Sequence, residues 1–180
     1  MKANGIRLRG GNLNFNKIIE EPKIKNLKST IYREAVRAII FNNDHILLVQ
    51  SNRGDYKFPG GGLEDNETHY SGLLREVQEE TGYINCMVND KVGIVIERKV
   101  DEFDHNALFQ MTSHYYLCKL TNEEKISQKL DDYESRLDFT AKWVSLDDAI
   151  KQNENLIKES RKNSWLERET FVLKKLKNNS

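Results

Sequence analysis

Glu76, Glu79 and Glu80 stand at positions i, i+3 and i+4 of a segment with helical spacing, so on a helix their carboxylates share one face. They repel one another. Glu79 and Glu80 also fall in the last turn, where the helix dipole disfavours each anion by about 0.3–1 kcal/mol. Such a breach of local preference has two explanations. One is a solvated acidic face, the ordinary state of a run of glutamates. The other is function: a hard divalent cation relieves clustered carboxylates, and oxygen-only ligands favour Mg²⁺ or Mn²⁺ over zinc. Upstream lies Phe58-Pro59-Gly60-Gly61-Gly62. Its glycines lack a following Gly-Lys-Ser/Thr, so they are no P-loop and on their own read as a flexible turn.

The spacing joins the two features. Gly61, five residues, Glu67, seven residues, then Arg75-Glu76-Val77-Gln78-Glu79-Glu80-Thr81-Gly82 resembles the Nudix box of the Nudix hydrolase family. Tyr83 is the one departure, standing where the pattern has an aliphatic residue, and it bears on packing after the helix rather than on catalysis. The strand-rich order from roughly Tyr32 to Ile150 is also similar to the family. The resemblance implies an α+β fold, an α/β/α sandwich around a central mixed β-sheet, in which the box forms a loop, a helix and a loop. It implies that Glu76, Glu79 and Glu80 hold one or more Mg²⁺ ions, with Mn²⁺ as a substitute, joined by the backbone carbonyl of Gly60. Arg75 would pair with Glu67 or Glu79 and fix its orientation, and Gly61, Gly62 and Gly82 would allow close backbone turns.

The implied reaction is hydrolysis of a diphosphate bond, in a small nucleoside diphosphate derivative or a nucleoside triphosphate, by attack of water on phosphorus. Cations bridging a diphosphate neutralise charge on the phosphoryl oxygens and polarise the phosphorus. A carboxylate must then orient or deprotonate the water. Glu79 is the first candidate for that base. Glu134, in Asp131-Asp132-Tyr133-Glu134 shortly before Lys142-Trp143-Val144, is its rival, unless it is a surface charge in a polar loop.

Substrate contacts are less sharply marked. Arg53, in the loop before Phe58, is placed to reach a phosphate; Arg33 and Arg37 project from one strand face, and Phe58 joins them as a binding candidate, although each arginine is as readily a solvated charge. Tyr56, Phe103, Phe109 and Tyr115 are candidates to stack on a base or to pack. His69 and His114 read as satisfied structural histidines, and Trp143 and Trp165 as core. The prolines are Pro22 and Pro59, both upstream of the box end, which disfavours the ADP-ribose subgroup, usually marked by a downstream proline. The tyrosine marking many diadenosine-polyphosphate hydrolases is not evident either. The other readings are a Nudix-fold ligand-binding or regulatory module, which loss of a box glutamate would have favoured, and an isoprenoid-diphosphate isomerase, for which no suitably placed cysteine stands out.

These residues need a frame. Val36, Ala38 and Ile40 alternate along a strand from Tyr32 to Phe41, Asn42-Asn43-Asp44 turns it, and His45 to Gln50 completes a hairpin, followed by a loop from Ser51 to Tyr56. A helix over about Thr68 to Thr81 is apolar at Leu73, Leu74 and Val77 and is ended by Gly82. Strands are predicted at Val92 to Val100, Ala107 to Leu120 and Ala141 to Val144; Ser145 then caps a short helix. A C-terminal amphipathic helix from Ser164 to Lys177 shows a capping-box spacing, Ser164 to Glu167. Residues 1–30 read as an N-terminal extension with one short strand, and residues 31–180 as a single domain.

Twenty-eight basic and twenty-eight acidic residues give a formal net charge of +0, so no overall field draws the chain to a long nucleic acid, a capped RNA or an anionic membrane. The expected partner is a small nucleotide-like diphosphate, with a homodimer open. Cys86 and Cys118 form no Cys-x-x-Cys motif and read as buried free thiols. With no apolar leader in Met1 to Gly10 and no membrane-length apolar run, a cytoplasmic location is the expectation.

Overall fold

Strand β2, Ser29–Asn42, is buried on both of its faces from Ala35 to Ile40, and that double burial organises the fold. Because side chains alternate along a strand, Val36, Ala38 and Ile40 turn one way and Ile39 the other. The first set packs with Leu73 and Val77 of helix α1, His69–Thr81; Ile39 packs with Leu146, Ala149 and Ile150 of α3, Leu146–Lys158, and Val172, Leu173 and Leu176 of α4, Leu166–Lys177. One sheet is thus covered by helices on both faces, the α/β/α sandwich that the resemblance implied. A computed structural model describes residues 13–22, 24, 27–159 and 164–180.

Among the described residues the sheet has seven strands, with β1 Phe15–Glu20, β3 His45–Gln50, β4 Tyr56–Lys57, β5 Cys86–Val100, β6 Ala107–Leu120 and β7 Thr140–Ser145 joining β2. Their order is β1-β5-β6-β2-β3-β4, with β7 paired to β3. β1/β5 and β2/β6 run parallel and the remaining pairs antiparallel, so the sheet is mixed. Asn43, at φ 52°, takes the left-handed conformation that a tight hairpin turn requires, which asparagine tolerates well. Within the N-terminal residues, β1 sets Phe15 directly over Gly93, where an added Cβ would lie 2.3 Å from the ring. Phe15 then meets Tyr115 edge-on at 5.5 Å.

Helix α1 begins and ends as its sequence requires. The Thr68 hydroxyl accepts from the Ser71 amide, and Gly82 closes the helix at φ 79°. Ser145 likewise caps α3. The C-terminal helix differs from expectation: it starts at Leu166, Trp165 occupies the cap, and no side chain caps it. The physical reason lies in Trp165, whose indole Nε1 donates to Asp55 Oδ2 at 2.5 Å and whose ring meets Phe139 edge-on. That anchoring leaves Trp165 in helical φ/ψ, without the extended backbone that a capping side chain needs. The segment around Glu134 also differs from a plain polar loop. It forms a one-turn helix, α2, Asp132–Arg136, closed by a capping box between Asp131 and Glu134.

Leu173 is fully enclosed beneath the sheet. Replacing it with alanine is expected to cost about 2–5 kcal/mol through lost transfer energy and the cavity left behind, read as a lower urea midpoint at unchanged m-value. No described helix is long and apolar enough to cross a membrane.

Candidate active site

The chain from Pro59 to Leu63 is laced to β2: Ala38 N donates to Pro59 O at 2.8 Å, Val36 N to Gly61 O at 3.0 Å, and Leu63 N to Glu34 O at 2.9 Å. This close approach demands glycine. Gly60 sits at φ 140°, and a Cβ there would fall 2.0 Å from Val36 O; at Gly61 a Cβ would fall 2.5 Å from the Glu76 carboxylate. The glycines are therefore no flexible turn but the wall against which α1 presents its glutamates.

Glu76 and Glu80, one turn apart, both point inward and are buried. Glu80 accepts from the Gly60 amide at 2.8 Å and is ion-paired with Lys57, whose ammonium lies 4.6 Å from the Phe139 ring centroid. Burial, then the Glu80 charge, pushes the Glu76 carboxyl up, against the pull of Arg75 and Arg37. Glu134 reaches the same place from α2, and oxygens of Glu76, Glu80 and Glu134 lie within 4.8 Å of one another. Desolvation first, and Glu80 second, push Glu134 up to about 7. Three carboxylates thus converge in a partly desolvated place with Lys57 as a bonded ammonium, and two have raised pKa values. An all-oxygen donor set short of positive charge fits a hard divalent cation such as Mg²⁺ or Mn²⁺.

Glu79 stands apart from this trio. Its Oε2 accepts from Arg75 Nη1 at 3.0 Å, and the same nitrogen donates to Glu76 Oε1 at 2.8 Å. Arg75 meets Glu67 through two bonds of 2.9 Å, and its Nη2 reaches Gly62 O at 3.2 Å. Both pairings anticipated for Arg75 are present, and the guanidinium fixes the glycine loop, Glu67 and the helix to one another.

Those hydrogen bonds are the main cause that holds the Glu67 carboxyl below its ordinary range. A depressed carboxyl contributes its stability fully above the unfolded pKa and loses it as pH falls through the folded one. Urea midpoints of the wild type are therefore expected to drop on acidification below about pH 4.3, the ordinary glutamate value, and those of Glu67→Gln to drop less steeply there.

The substrate candidates divide. Arg37 does not stand free on a strand face: it is buried, and its Nη1 donates to the Gly60 carbonyl. Phe58 cannot contact substrate through its ring, which is fully enclosed and meets Tyr115 edge-on at 5.5 Å, packed in the core cluster with Ile39, Val172 and Leu173. Tyr115 is enclosed with it, and Phe103 is 96% exposed. Arg53 lies on an exposed loop beside α2: Asn52 N donates to Leu137 O at 2.7 Å, and the Arg53 charge acts on Tyr133, next to Glu134. The Arg33 guanidinium lies over Gly62. Phe109 lines a cleft of about 670 Å³ with Ile19, Met111 and Glu97. That cleft is not at the carboxylates; a polar chain links the two, with Glu97 paired to Arg168, Arg168 to Glu169, and Glu169 Oε2 accepting from the Phe58 amide at 3.0 Å.

Sequence reasoning missed Lys57 and Gln128. Lys57 carries a faint signal, a cation two residues ahead of Pro59-Gly60. Gln128 carries none: its amide donates to the Glu80 carbonyl, while Lys129 N donates to Glu79 O at 2.9 Å and Ile126 N to Gly82 O at 2.9 Å. These bonds satisfy the open carbonyls at the end of α1 and fasten to it the segment that leads to Glu134. Tyr83, the box departure, is a packing residue: it is buried, and its hydroxyl accepts from Trp143 Nε1 at 2.9 Å.

The family model of the NUDIX domain matches residues 31–165. The chain is similar to Nudix hydrolase 25 of Arabidopsis thaliana, 27% identical over 134 residues, covering 67% of this chain and 77% of that protein. It is similar to diphosphoinositol polyphosphate phosphohydrolase 3-beta of Homo sapiens, 31% identical over 112 residues, covering 60% of this chain and 59% of that protein, so it spans less than two thirds of this second relative. Among solved structures it is similar to a NUDIX hydrolase from Nitrosomonas europaea, with 24% identity and a TM-score of 0.49 over 68% of this chain and 78% of the other.

Proposed function

The chain belongs to the Nudix hydrolase family, and on that premise we propose that it is a pyrophosphohydrolase that, with Mg²⁺ bound, cleaves the diphosphate bond of a small nucleoside diphosphate derivative or a nucleoside triphosphate. The observation that carries the proposal is the convergence of Glu76, Glu80 and Glu134 beside the glycine loop. Glu76, Glu80 and Glu134 would hold the cation, joined by the second lone pair of the Gly60 carbonyl, whose first accepts from Arg37. When bound, Mg²⁺ supplies charge neutralisation on the phosphoryl oxygens and polarises the phosphorus under attack.

The remaining work falls to the chain. Glu134 is half-buried on a short helix at the rim of the trio, and its carboxylate takes the proton from the attacking water. Its place at the rim of the trio, on a helix held by the capping box with Asp131, supports that role. Glu79 gives up one oxygen to Arg75, and together they hold Glu76 in its inward rotamer. Arg53 and Arg33, on the rim and over Gly62, bind substrate phosphates that the trio does not reach. Phe109 and Met111 offer the apolar cleft wall against which a base packs.

The test is a product analysis with Mg²⁺ and a panel of nucleoside triphosphates, nucleotide sugars, dinucleotides and dinucleoside polyphosphates, with a diphosphoinositol polyphosphate added because one relative is named for it. Cleavage of a diphosphate bond at a rate abolished by EDTA is the expected result. A rate no greater than that in EDTA for every compound removes the proposal in favour of a ligand-binding module.

A further inference from the structure

Outside the carboxylate trio, three side chains that the sequence leaves unconnected meet at one point. Glu34 comes from β2, His114 from the neighbouring β6 and His69 from the first turn of α1, and a ligand atom of each lies within 4.8 Å of the other two. We propose that Glu34, His69 and His114 form a second metal site, which takes a borderline first-row divalent cation of the Zn²⁺ type rather than Mg²⁺.

The donor set makes the distinction. Two imidazoles and one carboxylate suit zinc-like ions, whereas Mg²⁺ prefers oxygen and retains its water. His69 is already oriented: its Nδ1 lies 2.7 Å from the Tyr116 hydroxyl, which leaves Nε2 as the ligand nitrogen. The two imidazole rings lie 4.4 Å apart at 43°, an arrangement that two protonated rings would resist.

His114 is satisfied on one side only. Its side chain is nine-tenths buried, Nε2 touches the Glu34 carboxylate, and Nδ1 has no hydrogen-bond partner. Buried nitrogens are ordinarily bonded. A tetrahedral ion with Zn–N bonds of about 2.0–2.1 Å needs its ligand atoms roughly 3.3 Å apart, so Glu34 must draw back from His114. It has room to do so, being half-exposed at the open side, where water fills the remaining position. Lys91 opposes a cation here and Glu34 offsets it. The site is separate from the trio, since seven residues of helix set His69 about 10 Å along the axis from Glu76. Because Leu63 N is bonded to Glu34 O, an ion here would clamp both ends of the loop from Gly62 to Thr68.

The test uses untagged protein stripped with chelator and then saturated with Mg²⁺, so that the trio is filled. Co²⁺ is added and followed by its visible d–d absorption, and Zn²⁺ by calorimetry. One equivalent is expected to bind with tetrahedral-type bands, about 10–100-fold more weakly in His69→Gln and Glu34→Gln. His114→Gln should lose binding altogether, and His45→Gln, His105→Gln and Glu80→Gln should keep it. His69 and Glu34 are not core residues, so their variants test the site where His114→Gln fails to fold, as circular dichroism will report. No saturable Co²⁺ binding by the wild type, equal binding by His69→Gln and Glu34→Gln, or loss in Glu80→Gln would each overturn the proposal.

Discussion

Glu80→Gln is expected to lower kcat by about three orders of magnitude, because it removes a full charge from the group that would stabilise the cation and, through it, the transition state. Glu80 is the most enclosed of the trio, with no exposed surface, and it holds three things in register: the Lys57 ammonium, the Gly60 amide and its neighbours Glu76 and Glu134. Glutamine has the same shape and can still accept from Gly60, so the loss isolates the charge. Lys57 would then be a buried ammonium without its carboxylate, a defect worth about 3–5 kcal/mol when a buried pair is broken from one side. The double variant Lys57→Met, Glu80→Gln should regain most of that stability and none of the activity. Adding Mg²⁺ should raise the melting temperature of the wild type by mass action and leave that of Glu80→Gln nearly unchanged. A Mg²⁺-dependent melting shift of wild-type size in Glu80→Gln, with activity within tenfold of wild type, would remove Glu80 from the metal site.

The sequence carried the helix of the box almost to the residue, because Thr68 and Gly82 are strong local signals that no tertiary contact overrides. The sandwich came with the resemblance, whereas β2, read as an alternating strand, is buried on both faces from Ala35 to Ile40. The site was legible only as far as it is local. Glu67, Arg75 and Glu79 lie within one loop and helix, and the structure pairs them as the resemblance implied. Lys57 and Gln128 come from segments whose spatial relation to α1 is fixed by strand pairing and by the open carbonyls of the helix end, neither of which leaves a periodic trace.

Phe58 and Arg37 misled for a related reason. Each neighbours the box in space, but the core cluster around Tyr115 takes one ring, and the carbonyl of Gly60 holds the other side chain. The Ser164 cap failed because a distant partner, Asp55, fixed Trp165 first. His69 and His114 are forty-five positions apart (114 − 69); the parallel pairing of β2 with β6 brings His114 beside Glu34, and the packing of α1 on that face of the sheet adds His69.

Glu134→Gln is expected to lower kcat by about 10²–10⁴-fold, the range associated with loss of a general base, with KM little changed. Glu79→Gln, by contrast, should lose only about tenfold to a hundredfold, the usual penalty for removing a group that orients a ligand. The separation follows from where each oxygen is spent: Glu79 bonds to Arg75 outside the trio, while Glu134 enters it from a capped helix that holds it in place. A second readout reports the surroundings of the Glu134 carboxyl. Glu134 has its pKa raised to about 7, so between the ordinary glutamate value and that figure the folded chain binds more protons than the unfolded one. Its contribution to stability is therefore greatest at low pH and is lost as pH rises through the folded pKa. In the cation-free protein, Glu134→Gln should make that decline in urea midpoint shallower, the remainder coming from Glu76, whose carboxyl is also pushed up. If Glu79→Gln proves the more damaging variant and Glu134→Gln leaves kcat within threefold of wild type, the proton goes to Glu79, and the trio's third carboxylate serves the metal alone.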